Sequence, residues 1–183
     1  MEESPPSESS IRPTLLIGAD LEGVLHVSLR HGQAALLSRA HPTRGSANQD
    51  AAAVIPTANG DGLLVIADGM GGSRQGGEAA ARVVSQLAKS LAGNSDGASL
   101  RSAILNGIEE ANRMVLSELP GSGSTLAAVE ISEHTIRPYH IGDSEILVVG
   151  QRGRIKFQTV SHSPVGLGVE AGLLDADEAL HHE

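Results

Sequence analysis

Apolar residues in the first third of the chain fall into short runs broken by glycine: Leu15–Ile17, Val24–Leu29 and Gln33–Ser38. That pattern predicts strands joined by turns. Ala51–Ile55 predicts a further strand, closed by Pro56 and the turn-forming Asn59-Gly60-Asp61-Gly62. Leu63-Leu64-Val65-Ile66-Ala67 has no polar interruption, which predicts a strand buried on both faces. It ends at Asp68-Gly69.

The period then changes. Ala80, Val83, Val84, Leu87 and Leu91 share one stripe of a predicted helix from Gly77 to Leu91. Leu100, Ile104, Ile108, Ala111 and Val115 share one stripe of a second, from Leu100 to Leu119. Ser99 is its expected N-cap, and Pro120-Gly121 its stop. Thr125, Ala127, Val129 and Ile131 then alternate with Leu126, Ala128 and Glu130. Strands over Thr135–Ile141, Glu145–Val149 and Arg154–Val160 follow at hairpin spacing. In the last of these, Ile155 and Phe157 alternate with Lys156 and Gln158. Pro138 cannot donate to a central ladder, so its strand is expected at an edge or bulged. Strands, a helix pair and strands again predict an α+β domain of antiparallel sheet covered by helices. Residues 1–13 read as a disordered Ser/Pro/Glu tail and residues 14–183 as one domain.

Composition narrows the chemistry. Aromatic residues are 1% of the 183, with only Tyr139 and Phe157, so the core must be built from Ala, Val, Leu and Ile. The stacking platform of single-strand nucleic-acid binders is absent. The net charge of -9 argues against a phosphate backbone as partner. With no cysteine, disulfides, thiolate zinc sites and a cysteine nucleophile all drop out. The N-terminus has neither a basic nor an apolar signal region, and no apolar run approaches the ~20 residues of a membrane span. A soluble, cytoplasmic protein is expected.

Three acidic positions lie beside strand or turn signals: Asn48-Gln49-Asp50, Asp68-Gly69-Met70-Gly71-Gly72 and Gly142-Asp143-Ser144. A carboxylate at the end of a buried strand is held rigidly, and a glycine after it lets the main-chain carbonyl approach a ligand. Such oxygens are hard donors suited to Mg²⁺ or Mn²⁺. Taken singly, each motif also reads as a turn, or as a phosphate-cradling loop at a helix start. Gly69-Met70-Gly71-Gly72-Ser73-Arg74 lacks the third glycine of a dinucleotide fingerprint, and no GxxxxGK[ST] occurs.

In order, Asn48-Gln49-Asp50, Val65-Ile66-Ala67-Asp68-Gly69-Met70-Gly71-Gly72, Gly123-Ser124-Thr125-Leu126 and His140-Ile141-Gly142-Asp143-Ser144 resemble the successive motifs of the metal-dependent protein phosphatase 2C family. The resemblance runs from about Ala35 to Glu183. It implies an antiparallel β-sandwich flanked by helix pairs, with two Mn²⁺ or Mg²⁺ ions at one edge and a third in some relatives. It implies hydrolysis of phosphoserine and phosphothreonine in proteins by a metal-activated water, the substrates being products of a serine/threonine kinase. Asp68 matches the aspartate bridging both metals and Gly69 the residue whose carbonyl contacts one. Asp50 and Gln49 match water-mediated contacts, Gln49 standing where many relatives have Glu. Asp143 matches the aspartate of the third site.

Arg44 is the candidate phosphate-binding arginine, with Arg39 as fallback; either can equally be a solvated surface residue. His162-Ser163 resembles the family's Asp-His-Ser segment, with Ser161 in place of the Asp, so His162 is a candidate for proton transfer or simply a loop histidine. Glu145 stands where an Arg is usual. Further metal-binding aspartates of the family, in a later Asp-Gly and a terminal Asp-Asn motif, have no counterpart in these residues. Asp175, Asp177 and Glu178 read as the first turn of a helix, and His181-His182 lacks metal-ligand spacing. The alternative reading is a non-catalytic pseudophosphatase that binds phosphoproteins.

Overall fold

The computed structural model describes residues 12–43, 47–70, 74–92 and 99–175. Five strands form one antiparallel sheet in the order β1 (Thr14–Ile17), β4 (Asp50–Pro56), β5 (Gly62–Met70), β7 (Leu126–Ile131), β8 (Ile136–Ile141). A short β6 (Gly123–Ser124) pairs with the end of β5. Two helices, α1 (Arg74–Ala92) and α2 (Leu100–Glu118), pack on each other, and α1 lies across β4 and β5. The α+β class and its antiparallel pairing agree with the sequence.

The core lies between sheet and helices. Ala51, Ala53 and Ile55 of β4, Leu63, Val65 and Ala67 of β5, and Leu126 and Ala128 of β7 all point into it. From above come Ala80, Val84, Leu87 and Leu91 of α1 and Ile104 of α2. Full burial of each large side chain here stabilises by about 1.5–3 kcal/mol. The alanines on β4 and β5 let the helix approach closely, which suits a chain with almost no aromatics. Helix meets helix at another small residue: a Cβ at Gly107 would come within 3.0 Å of Leu87 Cδ2.

Element ends have local causes. Ser99 caps α2, accepting from Ser102 N–H at 3.2 Å. α1 begins at Arg74, three residues before the predicted start. Gly76 and Gly77 are poor helix formers by themselves, but both seat the first turn against Gln49. β5 runs on through Met70 rather than ending at Asp68-Gly69, because β6 supplies a pairing partner there. Nor is β5 buried on both faces. Ile66 is 55% exposed, since α1 covers only the opposite face among the described residues.

Pro138 sits in β8, the edge strand of the sheet. Where β7 meets β8, Glu130 is 6% exposed and its carboxylate is saturated. Arg137 Nη1 donates to both its oxygens at 2.8 Å, and the Tyr139 hydroxyl donates at 2.5 Å.

Two antiparallel ribbons complete the strands: β2 (Leu25–Leu29) with β3 (Gly32–Leu36), and β9 (Leu147–Val149) with β10 (Ile155–Gln158). The alternation predicted for Ile155–Gln158 does not sort its faces, since all four residues are exposed. A seven-residue α3 (Pro164–Glu170) follows, capped by Ser163 with Pro164 in its first turn. Its shortness left no periodic stripe to read. Asp175 follows it outside any helix; Asp177, Glu178, His181 and His182 lie outside the described residues.

Candidate metal centre

The β4–β5 register sets Asp50 directly opposite Asp68, at the start of one strand and near the end of its neighbour. Like charges facing each other across a ladder repel. Burial pushes the Asp50 carboxyl above the usual carboxylate range, and the charge of Asp68 and a hydrogen bond to it push it further. Two carboxylates are thus held face to face across the ladder.

Asn48 fixes one side of this pair. Its Oδ1 accepts from Asp50 N–H at 3.0 Å, and its Nδ2 donates to the Ala19 carbonyl at 2.7 Å and Ser38 Oγ at 2.8 Å. Gly18 N–H in turn donates to the Asp50 carbonyl at 2.9 Å. Gln49 lies between β5 and α1. A Cβ at Gly69 would stand 2.0 Å from the Gly76 carbonyl oxygen and 2.9 Å from that of Gln49. A Cβ at Gly76 would stand 2.5 Å from Gln49 Oε1 and 2.7 Å from the Gly69 carbonyl oxygen. Main chain touches main chain here, which only glycine at both positions allows.

On the other side stands Thr125, buried to 1% exposure. Its hydroxyl accepts from Asp68 N–H at 3.0 Å and lies 2.6 Å from Ser144 Oγ. Gly142, at φ +95°, packs so closely on Thr125 that a Cβ would come within 2.8 Å of its methyl. Asp143, between Gly142 and Ser144, is exposed, and Thr125 links its two neighbours to Asp68. His162 holds the same turn: its N–H donates to the Gly142 carbonyl at 2.8 Å, and its Nδ1 accepts from Gly142 N–H at 3.3 Å. Its ring lies 4.6 Å from that of His140, whose Nε2 is buried without a hydrogen-bond partner among the described residues.

Arg44 lies outside the described residues. Arg39 is engaged elsewhere, 3.1 Å from Asp20 on the surface. Among the described residues no group of three or more His, Asp or Glu side chains converges. The structure therefore brings Asp50, Asp68, Gln49 and Gly69 together, and ties Asp143 and His162 to them through one buried threonine. Asn48, Thr125 and Gly76 are the residues whose roles the sequence did not disclose.

Residues 38–167 match a family model described as protein phosphatase 2C. The chain belongs to the protein phosphatase 2C family. Over 144 residues it is 31% identical to a candidate protein phosphatase 2C-type protein of Streptococcus pyogenes serotype M6, covering 75% of this chain and 58% of that one. The serine/threonine phosphatase of S. agalactiae superposes with a TM-score of 0.66 at 30% identity, covering 93% of this chain and 64% of the other. The catalytic domain of the serine/threonine phosphatase PstP, in complex with two manganese ions, superposes with a TM-score of 0.57 at 25% identity, over 92% and 63%. This phosphatase 2C chain thus spans less than two thirds of the length of the relatives it matches. No helix among its described residues is long and apolar enough to cross a membrane.

Proposed function

We propose that the chain is part of a metal-dependent protein serine/threonine phosphatase, a phosphoric monoester hydrolase acting on phosphoserine and phosphothreonine in proteins. The observation that carries this reading is the facing pair Asp50–Asp68. Its donors fit a hard divalent cation, which would offset both the burial and, after it, the charge of Asp68 that raise the Asp50 carboxyl. Asp68 is the expected shared ligand, the Gly69 carbonyl a further donor, and Asp50 and Gln49 contacts through water; Asp143 would serve a third, outlying ion. Bound Mn²⁺ or Mg²⁺ would supply positive charge against the phosphate and acidify a water for in-line attack on phosphorus. Arg44 is assigned to the substrate phosphate. His162 holds the Asp143 turn, and any proton transfer it makes would start from there. The expected setting is the cytoplasm, with proteins phosphorylated by a serine/threonine kinase as substrates.

The pseudophosphatase alternative is favoured by one observation, that no three acidic or histidine side chains converge among the described residues. Two measurements separate the readings. Thermal unfolding in EDTA and in Mn²⁺ should show a cation-dependent rise for the parent chain. Asp68→Asn should unfold slightly higher than the parent in EDTA, by up to about 1 kcal/mol for a relieved like-charge pair, and should lose the Mn²⁺ response. Hydrolysis of p-nitrophenyl phosphate, where present, should require Mn²⁺ or Mg²⁺; full activity in excess EDTA would sink the metal assignment. A Mn²⁺ response without turnover in any longer form of the protein would favour the pseudophosphatase.

A further inference from the structure

The ladder between β5 and β7 is regular up to the pair Ile66–Ala127, and β6 takes up the same register again at Gly69–Ser124 and Met70–Gly123. Asp68 and Thr125 face each other in the interval. One of their two main-chain bonds forms as expected, Thr125 N–H donating to the Asp68 carbonyl at 2.9 Å. The other is replaced. Asp68 N–H donates instead to Thr125 Oγ1 at 3.0 Å, while the Thr125 carbonyl accepts the Ser124 hydroxyl at 2.9 Å. A side-chain oxygen has taken the place of a ladder carbonyl at the one residue whose carboxylate faces Asp50.

That oxygen serves a second purpose. Thr125 Oγ1 and Ser144 Oγ are hydrogen-bonded at 2.6 Å, and the Thr125 methyl fills the space a side chain at Gly142 would need. Both flanks of Asp143 therefore rest on a single side chain that also holds Asp68. The hydroxyl is sealed from solvent, so water cannot substitute for it if it is removed.

We propose that Thr125 is a positioning residue of the cation site, its buried hydroxyl locking the Asp68 main chain and the Gly142–Ser144 turn into one geometry. The proposal rests on the reading of Asp68 as a metal ligand. Valine would keep the shape and lose the hydroxyl, leaving Asp68 N–H unpaired; serine would keep the hydroxyl and lose the methyl. A residue that merely packs would respond to both changes alike. A positioning hydroxyl separates them.

Mn²⁺ titration of the full chain, followed by the electron paramagnetic resonance of the free ion, reads affinity even when binding is weak. Hydrogen exchange at the Asp68 amide reads the geometry without any metal. Thr125→Val is expected to weaken Mn²⁺ binding about tenfold, as loss of a hydrogen bond from a buried group would, and to speed exchange at the Asp68 amide. Thr125→Ser should bind within about threefold of the parent even though losing a buried methyl lowers its melting temperature. Ser144→Ala, which leaves Thr125 intact, should weaken binding a few-fold and keeps the test available if Thr125→Val does not fold. Parent-like affinity in Thr125→Val or Ser144→Ala, or equal losses in Thr125→Ser and Thr125→Val, would overturn the positioning role. A parent chain that binds no better than Asp68→Asn would overturn the site itself, and the role of Thr125 with it.

Discussion

Replacing Gly76 by alanine should destabilise the chain, although alanine is the better helix former by up to about 1 kcal/mol. A methyl at this position would stand 2.7 Å from the Gly69 carbonyl oxygen and 2.5 Å from Gln49 Oε1. The Gly69 carbonyl cannot give way, because its residue is paired with Ser124 of β6. To reach an ordinary contact of 3.4 Å, α1 must lift by about 0.7 Å at its first turn. Such overpacking costs about 1–3 kcal/mol, so the net loss is up to about 2 kcal/mol after the gain in propensity. Gly77 provides the internal control. Its methyl would meet Gln49 Cα at 3.4 Å and Cβ at 3.7 Å, which is normal packing. Only the propensity term remains there, and Gly77→Ala should gain about 0.5–1 kcal/mol. At about 2–4 °C per kcal/mol for a domain of this size, circular dichroism should place the Gly76→Ala midpoint below the parent, by up to about 8 °C, and Gly77→Ala slightly above it. Equal midpoints, or a higher one for Gly76→Ala, would refute the close approach of α1 to β5.

Asp143→Asn should leave most Mn²⁺ affinity in place while Asp68→Asn removes it, because only Asp68 faces a second carboxylate; equal losses in a Mn²⁺ titration would contradict that ranking. At alkaline pH, Tyr139 should govern part of the stability. Burial first, and then its hydrogen bond to Glu130, raise its hydroxyl above the ordinary value near 10. The folded state thus holds this proton more tightly than the unfolded one. The resulting stabilisation is present below pH ~10 and is lost as pH rises through the raised pKa. Tyr139→Phe should cost about 1 kcal/mol at neutral pH and flatten the alkaline decline measured by denaturant unfolding. An unchanged decline would point to other groups.

Elements with a strong period were legible before any coordinates. The stripe from Leu100 to Val115, capped by Ser99, appears as α2, starting at Leu100 as its sequence suggests and ending one residue short of Leu119. Pro138 announced an edge strand for the plain reason that it has no N–H to give. The boundaries that failed did so where tertiary contact overrides local preference, as at Gly76-Gly77, where glycines join a helix because β5 lies against them. At the site, residue type alone left each aspartate readable as a turn, and it was the order of the motifs that singled out Asp50 and Asp68, which the fold sets face to face. Their supports were not legible. Asn48 and Thr125 are ordinary turn and strand residues in the sequence. Their importance arises from partners that are distant along the chain: Ala19 and Ser38 for one, Asp68 and Ser144 for the other.

The buried Glu130, held by Arg137 and Tyr139 at the edge of the sheet, also decides how the molecule can be watched. With one tyrosine, one phenylalanine and no tryptophan, near-ultraviolet emission from the chain comes essentially from Tyr139. A phenol bonded to a carboxylate is a dim emitter, since the acceptor drains its excited state, so the folded chain should glow weakly and brighten when Tyr139 leaves Glu130. That reporter sits on β8 opposite Ala128, its hydroxyl reaching to Glu130 on the side away from Thr125. Emission will therefore follow the opening of the β7–β8 edge, where the phenol leaves its carboxylate, and report on that edge before anything else.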